Sequence, residues 1–350
     1  MAKIKLKINV LIDRIKQHPG LSSKELFEEV NAAHITSYAT VKRMLQHLIE
    51  KDFVTTTGIG KATTYHISKS YDVMHEVNIE TYFAKELDER KVRKSFNHEL
   101  ITETLNKISI FSEEELQHLN DLHNAFKKKI ATLSKKEYKT ELERLAIDLS
   151  WKSSQIEGNT YSLLETERLL RDKETAAGRT KDEAVMLLNH KDAIDFIVAN
   201  PDYIKPLKLS AIEDIHRLLI KELGVENNIR KRTVGISGTN YKPLDNEFQI
   251  REAMEELCGL VNLKKNVFEK ALLVLVLISY IQPFGDGNKR TARIISNAIL
   301  MNHKYCPLSF RTVDSLDYKK AMLIFYEQNN LSAVKQIFIS QFKFAVETYF

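Results

Sequence analysis

Apolar positions in the first 50 residues recur at helical spacing in three separate stretches. The first stretch covers residues 8–16 and stops at His-Pro-Gly. In the second, LSSKELFEEV, Ser22 and Glu25 have the spacing of a capping box, which predicts a helix start. The third, SYATVKRMLQHLIEKDF, predicts a helix that is capped by Ser37. Its predicted buried face consists of Val41, Met44, Leu45 and Leu48.

An alternating stretch follows the third helix. VTTTGIGKATTYHIS turns at residues 58–61, a pattern that is typical of a β-hairpin. Three short helices followed by a hairpin resemble a winged helix-turn-helix domain, which implies that the third helix is a DNA-recognition helix. Because the local basic excess is slight, a docking module without DNA contacts is the alternative. The candidate DNA contacts are Ser37, Tyr38, Thr40, Lys42, Arg43 and, on the wing, Lys61.

Residues 71–140 are charged and helix-prone, and they contain neither proline nor glycine. This composition predicts a helical connector with solvated faces and no chemistry of its own. We therefore expect a first domain over residues 1–70, the connector over 71–140, and a C-terminal domain over 141–350. With 11 glycines, 6 prolines and few period-2 runs in 350 residues, the chain is predicted to be mainly α-helical.

Other features of the composition narrow the class of protein. The apolar run Ala271–Ile281 is shorter than the about 20 residues of a membrane-spanning helix, which predicts a buried core helix and no membrane partner. Residues 1–7 lack the hydrophobic region of a signal peptide. Cys258 and Cys306 have no metal-binding spacing and suit a reducing compartment, which predicts a cytoplasmic location. The net charge of +5 permits a polyanionic partner without requiring one.

The stretch SYIQPFGDGNKRTAR, at the end of this apolar run, has the residue types of an anion site. Gly285 and Gly287 allow backbone N–H groups to face a ligand, and a helix that starts there adds its positive end. Asp286 can hold a Mg²⁺ ion that bridges substrate phosphates. The basic side chains of Lys289, Arg290 and Arg293 complete a predicted phosphate site. A solvated loop with chance charges is the alternative.

Residues 282–293 resemble the signature of the Fic (Fic/Doc) family, His-Pro-Phe-x-Asp/Glu-Gly-Asn-Gly/Lys-Arg-x-x-Arg. Every defined position agrees except the first, where Gln282 replaces the histidine. RKRTVGISGTNYKPL resembles the family's flap, with matches at Arg230, Val234, Ile236, Gly238, Tyr241 and Pro243. SSQIEGN resembles the family's inhibitory-helix motif, with matches at Ser153, Glu157 and Gly158.

The three motifs occur in the family's order, so the chain is identified as a member of the Fic family, in the subclass with an N-terminal inhibitory helix. The resemblance implies a Fic-type helical core with a short β-hairpin flap, and an inhibitory helix near residues 145–158. It also implies transfer of AMP from ATP to a Ser, Thr or Tyr hydroxyl of a target protein. Because relatives commonly dimerise, a homodimer is a candidate assembly.

The resemblance implies a role for each residue of the signature. Asp286 would hold Mg²⁺. The backbone amides around Gly287, Asn288 and Lys289, with the Asn288 side chain, would bind the α-phosphate. Arg290 would bind the β-phosphate region and Arg293 the γ-phosphate.

Two further roles concern regulation and docking. Glu157 would pair with Arg293 and displace the γ-phosphate, although an ordinary surface acid before a glycine cap is the alternative. Flap residues 233–241 would pair with the backbone of the target by β-augmentation. His216 is interpreted as a buried supporting histidine rather than a base.

Gln282 occupies the position of the family's general base, and an amide cannot usefully take a proton. We therefore predict ATP binding with weak or absent transfer. Three hypotheses follow: an impaired adenylyltransferase, a nucleotide-sensing pseudoenzyme, and a DNA-binding transcriptional regulator that acts through the winged helix.

Overall fold

The chain divides into two units, Met1–Glu76 and Val77–Phe350, in a computed structural model that describes residues 2–350. The first unit contains four helices and a small sheet. Its elements are α1 (Ala2–Gln17), β1 (Leu21–Ser22), α2 (Ser23–Ala33), α3 (Tyr38–Glu50), β2 (Val54–Thr57), β3 (Thr64–Ile67) and α4 (Lys69–Met74). The strands are antiparallel in the order β1-β3-β2, with Thr57 opposite Thr64.

The predicted helix starts of the first unit are confirmed. The Ser22 hydroxyl accepts from the Glu25 amide while the Glu25 carboxylate accepts from the Ser22 amide, which closes the capping box before α2. The Ser37 hydroxyl accepts from the Thr40 amide at the start of α3. The four predicted apolar positions of α3 are all buried in the core of this unit. Strand β1 is an addition that the sequence did not reveal, because two residues are too short for a period-2 pattern.

The second unit is helical. Its helices are α5 (Ile79–Phe83), α6 (Glu113–Thr132), α7 (Lys135–Ile156), α8 (Leu163–Asp172), α9 (Lys181–Ala199), α10 (Leu209–Ile220), α11 (Glu247–Leu263), α12 (Val267–Ile281), α13 (Asn288–Asn302), α14 (Ser315–Gln328) and α15 (Ser332–Thr348). Helix α12 is buried along its whole run from Ala271 to Ile281, as its uniformly apolar sequence predicts, and it packs most extensively against α13. The mainly α fold class is confirmed. None of the helices within residues 2–350 is both long and apolar enough to span a membrane.

The prediction of a solvated connector over residues 71–140 is wrong. Helix α4 belongs to the first unit, and residues 77–140 belong to the same unit as the C-terminal helices. Leu105 and Phe111 are buried, and α6 packs against α15 with Leu119 and Phe126 buried. Before α6 the apolar residues of this segment are divided among short elements and turns, and the 20 residues of α6 bury only Leu119 and Phe126, so no helical period reveals the buried face.

Candidate active site

The loop between α12 and α13 has two left-handed residues at its ends. Gln282 caps the end of α12 at φ 52°, and its amide donates to Ile278 O at 3.0 Å. Gly287 is the N-cap of α13 at φ 80°. A Cβ atom on Gly287 would lie 3.2 Å from Ile220 Cγ2 and 3.4 Å from the His216 ring. The glycine is therefore required both by its backbone conformation and by the close approach of the loop to α10.

Asn288 holds the loop closed from within. Its Oδ1 accepts from the Phe284 amide at 2.8 Å, and its Nδ2 donates to Phe284 O at 2.8 Å and to Gln282 Oε1 at 3.0 Å. Gln282 Nε2 in turn donates to Ser279 O at 2.7 Å. The Asn288 side chain, expected at the α-phosphate, is thus engaged by the loop itself, which leaves the backbone amides at the start of α13 as donors for an anion.

His216 of α10 supports the loop from below. Its ring stacks on Phe284 at a centroid distance of 3.6 Å, and its Nε2 lies 2.9 Å from Asp286 O. Because a carbonyl oxygen only accepts, Nε2 carries the proton. Burial lowers the pKa of His216 to about 4, so the ring is neutral at pH 7. This agrees with the interpretation of His216 as a supporting residue rather than a base.

The two arginines of the loop are buried. Arg290 donates to Asp286 Oδ2 at 3.0 Å and to Leu219 O at 3.5 Å. The Asp286 side chain is 67% exposed, so it lies at the mouth of the site. Arg293 donates through Nε to Ser153 Oγ at 2.8 Å and through Nη2 to Ser153 O at 3.0 Å. Apart from Glu157, these two buried guanidinium groups contact one exposed carboxylate, that of Asp286, so they favour an anion at this end of the site.

Glu157 lies against these cations. It caps the end of α7, next to Gly158 at φ 100°, and its Oε1 accepts from Arg293 Nη2 at 2.8 Å. Its Oε2 lies 3.3 Å from Lys289 Nζ. Burial opposes ionisation, but Arg293 and Lys289 outweigh it and hold the pKa of Glu157 below its usual range. An ionised Glu157 thus occupies two of the three basic side chains that the sequence assigns to phosphate.

The flap is not the paired hairpin that the sequence predicts. Residues 233–236 form no strand pairing, and the chain turns at residues 237–238. A run of four residues is too short to form a stable two-stranded hairpin by itself, so its backbone N–H and C=O groups are not paired with a neighbouring strand. Val234 and Ile236 are half-buried, while Thr233, Gly235 and Ser237 are exposed, so the predicted alternation is retained.

Two buried side chains fix the ends of the flap to the loop. Arg230 donates through Nε to Gln282 O at 2.7 Å, and its amide donates to Pro283 O at 3.0 Å. At the other end the Tyr241 hydroxyl donates to Tyr280 O at 3.0 Å. The flap and the loop therefore form one connected wall.

A cleft of about 560 Å³ lies between the flap, the loop and α14. Its walls include Gln282, Glu157, residues 285–290 and residues 234–238. Phe83 and Arg90 also line it, and sequence reasoning missed both. Arg90 stands in the charged run AKELDERKVRK and Phe83 directly precedes it, and no motif distinguishes either from solvated residues.

The acidic groups of the cleft fit a Mg²⁺ ion that arrives with a nucleotide. Within residues 2–350 no cluster of three or more His, Cys, Asp or Glu side chains could hold a metal ion. Asp286 presents one exposed carboxylate beside the backbone amides of α13. Mg²⁺ commonly uses one or two protein carboxylates and completes its coordination with waters and phosphate oxygens.

In the first unit, the candidate DNA contacts divide into two groups. Ser37 and Thr40 bond each other through their hydroxyls at 2.9 Å within the cap. Lys42 and Arg43 are exposed on α3, and Lys61 is exposed in the turn between β2 and β3. Tyr38 is tied to α2 through its hydroxyl, 2.8 Å from Ser23 Oγ.

The fold and the site define a winged-helix-type unit followed by a helical unit with an anion-binding loop. Comparison with protein-family models matches residues 206–300 to the Fic/DOC family and residues 9–125 to the penicillinase repressor family. The second unit therefore carries a Fic domain, and the first is of the winged helix-turn-helix type, as the sequence predicts.

Curated relatives match the same part of the chain. A protein adenylyltransferase Fic of Nematostella vectensis is 30% identical over 172 residues, which are 47% of this chain and 40% of that protein. One of Culex quinquefasciatus is 30% identical over 162 residues, 44% of this chain and 31% of that protein. The chain thus spans less than half the length of these relatives.

Solved structures share the fold of the second unit at lower identity. Fic-1 (aa134 - 508) from Caenorhabditis elegans superposes with a TM-score of 0.59 at 18% identity, over 67% of this chain and 72% of that one. A Fic domain containing signaling protein from Bacteroides thetaiotaomicron superposes with a TM-score of 0.55 at 19% identity, over 66% and 94%.

Proposed function

We propose that the second unit binds Mg-ATP in the cleft and is built to transfer AMP to a hydroxyl of a target protein. The observation that carries the proposal is the anion loop, where the N-terminus of α13 and the buried Arg290 line one cleft. The buried Arg293 lies behind Glu157, which lines the same cleft. The similarity to protein adenylyltransferases supplies the kind of reaction.

The groups of the loop suit the charges of a triphosphate. The free amides at the start of α13 bind the α-phosphate, and Arg290 binds the β-phosphate region. Arg293 binds the γ-phosphate only when Glu157 leaves it, because the two groups are 2.8 Å apart. Asp286 would hold a Mg²⁺ ion, which would supply positive charge at the phosphates. Positioning and charge stabilisation supply most of the acceleration in phosphoryl-type transfer.

The transfer forms a bond between the target oxygen and the α-phosphorus and breaks the bond to the leaving pyrophosphate. The hydroxyl proton must go to a base or to solvent. Gln282 cannot receive it, because an amide is not basic and both of its polar atoms are already engaged, by Asn288 and Ser279 O. The chain as written is therefore an impaired adenylyltransferase, and a nucleotide-sensing role that uses the Glu157 contact is the alternative.

The unpaired backbone of residues 233–236 borders the cleft and suits docking of an extended target segment by β-augmentation. Val234 and Ile236 give this edge two apolar side chains. Backbone pairing fixes the position of the target hydroxyl but contributes little to the choice of target protein.

The nucleotide site is tested by the dependence of ATP binding on Mg²⁺. We expect Mg²⁺ to raise the affinity of the chain for ATP, and Asp286→Ala to remove most of this gain, because the exposed carboxylate beside the amides of α13 is lost. Isothermal titration with ATP, with and without Mg²⁺, measures the effect. Asp192→Ala removes an exposed carboxylate of α9 away from the cleft and serves as the matched control. Equal gains from Mg²⁺ in both variants would contradict the site.

A second candidate function is DNA binding by the first unit. Its support is the match to the penicillinase repressor family together with the exposure of Lys42 and Arg43 on α3. A recognition helix needs such exposed basic side chains to contact phosphates and base edges.

The DNA hypothesis predicts that the double variant Lys42→Ala/Arg43→Ala weakens duplex binding and flattens its dependence on salt. Each lost phosphate contact reduces the magnitude of the slope of log K against log [salt] by about 0.9. Fluorescence anisotropy over a salt series measures the slope. Lys24→Ala, on the exposed face of α2, is the control. An unchanged slope and affinity in the double variant would leave the first unit as a docking module.

A further inference from the structure

Residues 79–95, which precede the helices of the Fic domain along the chain, contact the flap. The Arg90 guanidinium donates through Nη2 to Gly238 O at 2.8 Å, at the turn of the flap. Asn240 Nδ2 donates to Asp88 Oδ1 at 2.9 Å. Beyond the flap, the Lys242 amide donates to Lys94 O at 3.0 Å, next to a parallel bridge between Ser95 and Lys242.

Arg90 is itself held by a buried carboxylate. Its Nη1 lies 3.2 Å from Glu327 Oε1 of α14, and the two side chains are only 6% and 0% exposed. The other Glu327 oxygen accepts from the Tyr82 hydroxyl at 2.5 Å, and Glu327 O accepts from the Arg93 amide at 2.8 Å. The guanidinium also lies 5.1 Å from the Phe83 ring centroid. Separating a charge pair this buried would leave an uncompensated charge, so Glu327 holds Arg90 beside the flap.

The flap has few other restraints at its turn. Arg230 and Tyr241 fix its two ends, and residues 233–236 between them lack strand pairing. Gly238 has φ 86°, and a Cβ atom there would lie 3.5 Å from Leu323 Cδ1 of α14. The hydrogen bond from Arg90 therefore connects the flap turn to α14 through Glu327.

We propose that Arg90, locked by Glu327, is a positioning residue that sets the height of the flap above the cleft and so determines how a target segment docks. The inference rests on the proposed transfer reaction for its purpose, but its structural content concerns the flap alone. It places part of the target-docking apparatus in residues 79–95, outside the 206–300 region that matches the Fic/DOC family.

Hydrogen exchange of the flap tests the proposal without any transfer activity. In Arg90→Met we expect the amides of residues 233–240 to exchange at least about tenfold faster, because a hydrogen bond from a charged group is lost at the turn. Arg93→Met removes an exposed arginine of the same segment and should leave the flap unchanged. Arg90→Lys keeps the charge but not the fork of two donors, so it should restore part of the protection.

Glu327→Gln provides a second, milder route, because glutamine still accepts from Tyr82 while the charge that locks Arg90 is removed. It should loosen the flap less than Arg90→Met. Unchanged flap exchange in folded Arg90→Met would overturn the proposal. So would faster exchange that is spread evenly over residues 77–350, since that result indicates general destabilisation.

Transfer assays separate this inference from the proposed function. On the Gln282→His background, Arg90→Met should lower labelling of lysate proteins by labelled ATP about tenfold at saturating ATP, where a change in ATP affinity does not limit the rate. A local rise in flap exchange without labelling by any variant would support the positioning role and count against the adenylyltransferase. Labelling that Arg90→Met leaves intact would overturn the docking role.

Discussion

Gln282→His is expected to raise transfer of labelled AMP by about 10²–10⁴-fold, the usual contribution of a general base. The position accepts the change, because Gln282 has a left-handed backbone that histidine tolerates better than most residues. An imidazole there can take the hydroxyl proton at neutral pH, which the amide cannot. The rest of the loop is already formed, since Asn288 bridges Phe284 and His216 supports Asp286 O.

Gln282→Asn is the matched control, because it also changes the residue but supplies no base. Incubation with labelled ATP and a lysate should show labelled proteins with the histidine variant and not with the asparagine variant. The double variant Gln282→His/Asp286→Ala, compared with these two variants, then tests whether the labelling depends on the phosphate site. If the histidine variant labels no protein while it still binds Mg-ATP, the adenylyltransferase hypothesis fails and the nucleotide-sensing role is favoured.

The sequence predicted those parts of the fold and site that depend on local pattern. The caps at Ser22 and Ser37 follow from residues three apart, and the apolar run of α12 is buried because it has no polar face. Glu157 and Arg293 lie 136 residues apart along the chain, and their contact was expected only through a family resemblance. Nothing in the local pattern of either residue indicates its partner.

Other features depend on tertiary packing and could not be predicted. Arg90 stands among charged residues that read as solvated, yet Glu327 and the flap bury it. Leu105 and Phe111 join the core through short elements that carry no helical period. The side chain of Asn288 was assigned to a phosphate because of its place in the signature, whereas the Phe284 backbone and the Gln282 side chain engage it.

Glu157→Gly is expected to raise the affinity for Mg-ATP by roughly 5–150-fold, the range typical of coupling between two groups that compete for one site. Its removal frees Arg293 and Lys289, which it contacts at 2.8 and 3.3 Å, for the γ-phosphate. The same change should lower the free energy of unfolding of the nucleotide-free chain by about 3 kcal/mol, because Arg293 is left as an uncompensated buried charge. Added Mg-ATP should restore part of this loss. Isothermal titration and thermal unfolding with and without Mg-ATP measure the two effects.

Glu157→Gln separates the charge of this contact from its shape, since the amide still accepts from Arg293 and adds no space. We expect its ATP affinity to lie between those of the original chain and Glu157→Gly.

The arginine and lysine hold the pKa of Glu157 below its usual range of about 4. Its contribution to stability is therefore present above that range and is lost only as the pH falls through the lowered value. The ratio of the Kd values of the original chain and Glu157→Gln should then stay constant from about pH 6 to pH 8, because protonation of ATP itself affects both chains equally. A ratio that falls towards 1 at pH 6 would mean that Glu157 is already protonated there, and that Arg293 and Lys289 do not keep it charged.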